Sequence, residues 1–276
     1  MPPARRTTSP SGRGRRTYDP SRIRAALINQ VEAVADAAHR LTPEQHTLPS
    51  GLPGWDVHHL LVHIARQIDA VPRFLARPET EVTSKAPQIS LSHWALSTAT
   101  IAEELDADTR KDAESSPDGA ARIDQAVADL EPVIESAVRE DLLIPHPFGA
   151  MRILDFTVTR LVELVVHSDD LARATGVRVA LDRQATAATV RLLADALAAK
   201  APGASVEVRI PPFAVVQAVE GPRHTRGTPP NVVETDPLTW IRLATGRLTW
   251  SEALSTPHLT ASGARADLGQ VLPVLG

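Results

Sequence analysis

Glu163 and His167 stand four residues apart in the stretch RLVELVVHSDDL, residues 160–171. In a helix that spacing puts a carboxylate and an imidazole on one face, about one turn apart. Leu161, Val162, Leu164, Val165, Val166 and Leu171 cover most other sides with apolar surface. A buried carboxylate without a partner is costly, so something must compensate Glu163. Two arrangements would do so. Arg160, Glu163, His167 and Asp170 alternate in charge at spacings of three and four, a ladder worth about 0.3 kcal/mol per exposed pair. Alternatively, Glu163 and His167 join one residue of a neighbouring helix as three ligands of a metal whose fourth position stays open, as in a catalytic zinc site. Helical bundles build such sites from side chains on facing helices.

The stretch VHHLLVHIARQIDAVPRFLA, from residue 57, offers the third ligand. Its apolar stripe is Val57, Leu60, Leu61, Ile64, Ile68 and Val71, and His63 lies at the edge of that stripe. His59 is further round and His58 points away, so His63 is the candidate to face a bundle interior. The plain alternative is a core-edge histidine bonded to a carbonyl.

The elements that must position these groups are readable from periodicity. A first helix starts near Ser21, with Ile23, Ala26, Leu27, Val31 and Val34 at helical spacing. The second follows Asp56 as N-cap, with Pro72 near its end. Helix is expected from Leu91 to about Glu114 and from Ala120 to Val138, with SSPDG between them as a breaker and PHPFGA, 145–150, as a loop. The Glu163–His167 helix runs from about Ile153 to Thr175, and Gly176 sits where a terminal glycine belongs. Beyond it the pattern changes. A helix from Asp182 stops before Pro202-Gly203; SVEVRI, FAVVQAVEG, NVVET and HLTASG read as strands. Short helices start at Asp236-Pro237 and at the capping-box pair Thr249 and Glu252. The expected organisation is a basic disordered arm over 1–18, a helical domain over 19–178 and an α+β domain over 179–276.

The 276 residues include 43% hydrophobic and 22% charged side chains and carry a net charge of −4. That balance suits a globular chain with a real core and gives no global drive toward nucleic acid or an anionic membrane. No run approaches the about 18 apolar residues of a membrane span, and no apolar stretch follows the basic start as in a signal peptide. A cytoplasmic protein is expected. Cysteine is absent, which excludes disulfides, thiolate metal ligands and a cysteine nucleophile.

PGWDVHHLLVHIARQIDAV resembles one metal-binding helix of the mycothiol-dependent maleylpyruvate isomerase family, and RLVELVVHSDDLARATG looks like the other. These are DinB-like four-helix bundles of actinobacteria. The resemblance implies that His63, Glu163 and His167 hold a divalent metal, usually zinc. Three nitrogen and oxygen ligands suit zinc and leave iron, nickel and manganese open. The back half carries a second likeness. VEVRIPPFAVVQAVEG and TDPLTWIRLATGRLTWSEALSTPHLTASG resemble the bacterial sterol carrier orthologues fused to such bundles. Together the two cover about residues 20 to 275.

A divalent metal with an open position lowers the pKa of what binds there. A thiol would have to come from a cofactor, and the resemblance implies mycothiol. Its thiolate would add to a small electrophile, with isomerisation if the thiol leaves again and transfer if it stays. An acidic substrate would need a cation, and Arg223 and Arg226 in the loop GPRHTRG, or Arg160, are the candidates for that role. Asp170 or its rival Asp169 could orient His167. Trp55 reads as a hydrophobic staple. The rival functions are a carrier of lipid or another hydrophobic small molecule, and a bundle that keeps metal for stability alone. The oligomeric state is not written in the sequence.

Overall fold

The structure, a computed structural model, describes residues 16–222 and 230–275. Ten α-helices and six strands are present among them. α1 (Pro20–Ala38) opens with Asp19 as its cap, accepting from the Arg22 N–H, and Pro20 at its first position. Ser21, expected to cap this helix, instead donates to Asp19 Oδ1 at 2.6 Å. A short α2 (Pro43–His46) leads to α3 (Val57–Leu75), capped by Asp56 onto the His59 N–H. The whole expected stripe of α3, from Val57 to Val71, is buried.

The region read as one helix from Leu91 is interrupted. α4 (Leu91–Ser97) passes through a 3₁₀ turn at Thr98–Ile101 into α5 (Ala102–Ser115). Thr98 Oγ1 and Thr100 Oγ1 donate back to the carbonyls of Ala95 and Ser97, local bonds that compete with the helical ladder. The next helix is also shorter than its pattern. α6 (Gly119–Leu130) ends in 3₁₀ turns at Glu131–Val133 and Ser136–Val138, because Pro132 has no N–H to continue it. PHPFGA is not a plain loop. β1 (Leu143–His146) and β2 (Gly149–Arg152) pair antiparallel, with His146 opposite Gly149. Gly149 has φ of 126°, a conformation side chains rarely tolerate.

α7 (Ile153–Thr175) follows directly and is buried along most of its length. It stops at Gly176, whose φ of 72° lets its N–H reach the Ala172 carbonyl. α1, α3, α6 and α7 pack on one another as a four-helix bundle, with α5 laid across α3.

α8 (Arg183–Lys200) begins the second domain. Its faces pack on α1, α4 and α7 of the bundle and on the following sheet. That sheet joins β3 (Val206–Ile210), β4 (Ala214–Ala218), β5 (Val232–Thr235) and β6 (Leu259–Ser262) in the order β4-β3-β5-β6. The β3/β4 and β5/β6 ladders are antiparallel, and only β3/β5 is parallel. Alternate residues Val206, Val208 and Ile210 turn inward, as a half-buried strand requires. α9 (Pro237–Ala244) and α10 (Trp250–Leu254) complete the domain, with Trp240 fully buried in its core. The chain is therefore a two-domain α+β protein: a DinB-like helical bundle followed by a sterol-carrier-like domain with a small, mainly antiparallel sheet. No helix among the described residues is long and apolar enough to cross a membrane.

Candidate metal centre

α3 and α7 face one another, and the residues at their contact include polar ones. His63 of α3 and Glu163 and His167 of α7 each offer a ligand atom, and these atoms lie within 4.8 Å of one another. The two imidazole rings meet edge to face with centroids 4.8 Å apart. His167 Nε2 is 3.3 Å from Glu163 Oε2. His63 and His167 are each 5% exposed, while Glu163 is partly buried and borders a pocket.

The partners of each ring fix which nitrogen faces the cluster. Thr109 Oγ1 donates to the Leu105 carbonyl at 2.7 Å, so its oxygen can accept from His63 Nδ1–H at 3.2 Å. His63 therefore keeps its lone pair on Nε2. That lone pair accepts from the Gln67 amide at 2.9 Å, the bond that a metal at the same nitrogen would replace. His167 Nδ1 donates to Asp170 Oδ2 at 3.0 Å, which turns its Nε2 toward Glu163. The rivalry between Asp169 and Asp170 is resolved by geometry: Asp169 turns away to bind Arg242 at 2.6 and 2.7 Å.

The charges agree with a donor set. Burial, with His167 nearby, pushes His63 down to about 3, so it is neutral at pH 7. Burial opposes ionisation of Glu163, but the His167 hydrogen bond and the Arg160 charge outweigh it and hold the carboxyl at about 2. Burial likewise opposes the His167 cation, while Asp170 and Glu163 raise its pKa. Two imidazole nitrogens, each oriented by a hydrogen bond at Nδ1, and an ionised carboxylate oxygen are a fitting donor set for a divalent metal once His167 gives up its proton.

Arg160 does not pair with Glu163 in a ladder. Its Nη1 donates to Gln67 Oε1, and its Nε and Nη2 donate to Thr159 Oγ1 at 3.1 and 3.0 Å. Gln67 thus ties the guanidinium to His63. Arg223, His224 and Arg226 lie outside the described residues. Trp55, read from sequence as a hydrophobic staple, donates from Nε1 to Asp106 at 2.5 Å, and its ring lies 4.9 Å from that of His63.

Residue types and spacing missed several groups around the centre. Gln67 stands one turn after His63 on the same face, a spacing that could have marked it. Thr109 and Arg247 come from distant segments and carry no such signal. Arg247 reaches across from the second domain to Asp170, at 3.0 Å from Oδ2.

A bundle whose facing helices converge a His-Glu-His cluster, joined to a small α+β domain, defines a class of two-domain proteins with a candidate metal centre. Residues 27–172 match the family described as the mycothiol maleylpyruvate isomerase N-terminal domain, and the chain belongs to that family. Residues 182–274 match the bacterial sterol carrier protein orthologue domain. Among solved structures, the chain is similar to a mycothiol-dependent maleylpyruvate isomerase. The two share 15% identity over 89% of this chain and 93% of the other, with a TM-score of 0.59. A histidine-to-alanine variant of that isomerase gives the same values. That likeness is one of fold. No curated protein sequence matches the chain.

Proposed function

We propose that the chain is a divalent-metal-dependent enzyme that uses a low-molecular-weight thiol, mycothiol by family, for isomerisation or S-transfer on a small electrophile. The observation that carries this reading is the convergence of His63, Glu163 and His167 beside a pocket in a chain without cysteine. A divalent metal held by these three residues would lower the pKa of a thiol so that thiolate is present at neutral pH. In isomerisation the thiolate forms a carbon–sulfur bond as the alkene π pair moves into the electrophile's electron-withdrawing group, the resulting single bond rotates, and the returning pair breaks the carbon–sulfur bond to restore the alkene and the thiolate.

The protein's own part is orientation and exclusion. Thr109 and Asp170 hold the two imidazoles with Nε2 inward, Gln67 links His63 to Arg160, and apolar side chains of α3 and α7 keep water from the cluster. In this reading the second domain braces the site through Arg242 and Arg247 rather than carrying lipid. The packing supports that role: Val206, Val208, Ile210, Leu193, Leu197 and Trp240 fill the space beneath the sheet with none of their surface exposed.

The test is elemental analysis of the full chain beside a His63→Ala/His167→Ala variant, followed by absorption of the Co²⁺-loaded chain with and without mycothiol. One equivalent of metal lost in the variant, with a thiol-dependent change in the cobalt spectrum, is expected. Metal retention with no spectral response to thiol would overturn the thiol reading. No uptake of metal would return Glu163 and His167 to a side-chain ladder.

A further inference from the structure

α5 lies across α3 beside His63, and two of its residues bear on that ring. Thr109 Oγ1 accepts from His63 Nδ1–H at 3.2 Å, the long end of the range for such bonds. The second influence runs through Trp55. Its ring lies 4.9 Å from that of His63, tilted by 52°, and its Nε1 donates to Asp106 Oδ1 at 2.5 Å. Asp106 and Thr109 are three residues apart in α5 and so share one face of it.

Trp55 closes the loop before α3. Its backbone is tied within that loop: the Ser50 N–H and Oγ both donate to its carbonyl, at 3.1 and 2.9 Å, and its own N–H donates to the Leu52 carbonyl at 3.2 Å. These bonds hold the main chain and leave the indole to turn about its side-chain torsions. Nε1 is the only hydrogen-bonding atom of the indole, and Asp106 takes it. Asp106 is held in turn. Its Oδ2 accepts from Arg110 Nε at 3.0 Å, and Arg110 Nη1 donates to the Gly54 carbonyl at 3.1 Å. Gly54, Trp55, Asp106 and Arg110 thus form a closed clasp between the loop and α5. The Asp106 and Arg110 side chains are 43% and 41% exposed. An ion pair so exposed adds little to stability, and what the clasp does set is the place of the indole.

His63 has a use for that wall. The torsion that turns an imidazole about its Cβ–Cγ bond is broad, without sharp staggered wells. Gln67 holds Nε2 in the metal-free chain, and a metal at the same nitrogen replaces that bond. The ring plane then depends on Thr109 at one edge, on the His167 ring 4.8 Å away and on the indole. We propose that Asp106 is a positioning residue for the centre: by pinning Trp55 it fixes the plane of the His63 ring and aims Nε2 at the point where Glu163 and His167 converge. This inference rests on the metal reading above.

The test measures zinc affinity of the full chain by competition with a chromophoric chelator, and the absorption of the Co²⁺-loaded chain, with the urea midpoint as a control on folding. Asp106→Leu removes the acceptor and is expected to weaken zinc by about tenfold and to change the cobalt spectrum. Asp106→Asn keeps an oxygen for the indole N–H and should stay within about threefold of the native chain. Trp55→Phe should also weaken zinc by about tenfold. The double variant Asp106→Leu/Trp55→Phe should be no weaker than Trp55→Phe alone, because the carboxylate acts through the indole. Unchanged affinity and spectrum in Asp106→Leu, whatever its urea midpoint, would overturn the inference and make the clasp a strut. Losses that add in the double variant would overturn it too, since Asp106 would then reach the centre by another route. A native chain that takes up no zinc removes the metal reading and this inference with it, whereas zinc uptake that Asp106→Leu leaves unaffected removes this inference alone.

Discussion

Arg247 of the second domain and His167 of the bundle share one oxygen. Arg247 Nη2 and His167 Nδ1 each lie 3.0 Å from Asp170 Oδ2, and Arg247 Nε lies 3.3 Å from Oδ1. Asp170 is 3% exposed. Burial opposes its charge, but His167 and Arg247 hold its pKa at about 2. The ionised carboxylate fixes the proton on His167 Nδ1 and raises the basicity of Nε2, the nitrogen turned to the candidate metal position. A residue of the sterol-carrier-like domain therefore acts on a candidate ligand through one intermediate group.

Asp170→Asn should lower metal affinity by about 10- to 100-fold, the usual cost of losing a carboxylate behind a ligating histidine. Arg247→Met should lower it less, by about tenfold at most, because Asp170 stays in place. Competition with a chromophoric chelator measures both. Unchanged affinity in Asp170→Asn would make the pair an interdomain strut with no bearing on the centre.

The neighbouring carboxylate predicts the opposite pattern. Asp169 is bound by Arg242 through two bonds of 2.6 and 2.7 Å, whereas His167 bonds to Asp170 and not to Asp169. Asp169→Asn should leave metal affinity within about twofold of the native chain. Stability should fall by about 1–2 kcal/mol; the Arg242 side chain is 31% exposed, so water screens part of the loss. A urea midpoint that does not move would show that the pair holds nothing together.

The helices and the candidate ligands could be read because each depends on local chemistry. The 3.6-residue period of α3 and α7, the Asp56 cap and Gly176 are written within a turn of where they act. Glu163 and His167 share a face by spacing alone, and His63 stands at the edge of an apolar stripe. The partners of these residues were not legible, since Thr109, Asp106 and Arg247 reach the centre only through tertiary packing. His146 was hidden for a different reason. Two prolines and a glycine make PHPFGA look like punctuation, yet Gly149 closes a hairpin there and sets the imidazole against α7. The 3₁₀ breaks after Ser97 and Leu130 depend on threonine back-bonding and on Pro132, which apolar periodicity does not weigh.

Metal binding should depend on pH through His167. Asp170 and Glu163 raise its pKa above the usual 6.5 against the effect of burial, so the metal must displace a proton that His167 holds tightly. Affinity should fall by about tenfold per pH unit below that raised value and level off above it. In Asp170→Asn the break should move to lower pH, because one of the two groups holding the proton is gone. Affinities measured from pH 5.5 to 8.5 test this, and a flat profile would remove His167 from the ligand set.

The metal-free chain should lose stability on acidification well before its carboxylates titrate. His63 and His146 are held near 3 and 4 in the folded state, against about 6.5 unfolded. As pH falls below about 6.5 the unfolded chain takes up protons that the folded chain refuses, so each histidine removes up to about 1.4 kcal/mol per pH unit until its folded pKa is reached. Glu163 and Asp170, held near 2, add their own loss only below about 4.3 and 3.9. His167 has the opposite sign: with its pKa raised, its contribution is complete below 6.5 and is lost as pH rises through the folded value, so it cannot offset the decline on the acid side. The urea midpoint of the metal-free chain should therefore fall steadily between pH 6.5 and 4.5. His146→Phe should reduce that slope by about half, because one of the two responsible groups no longer titrates. A midpoint that is constant over this range would mean that neither imidazole is buried in its neutral form.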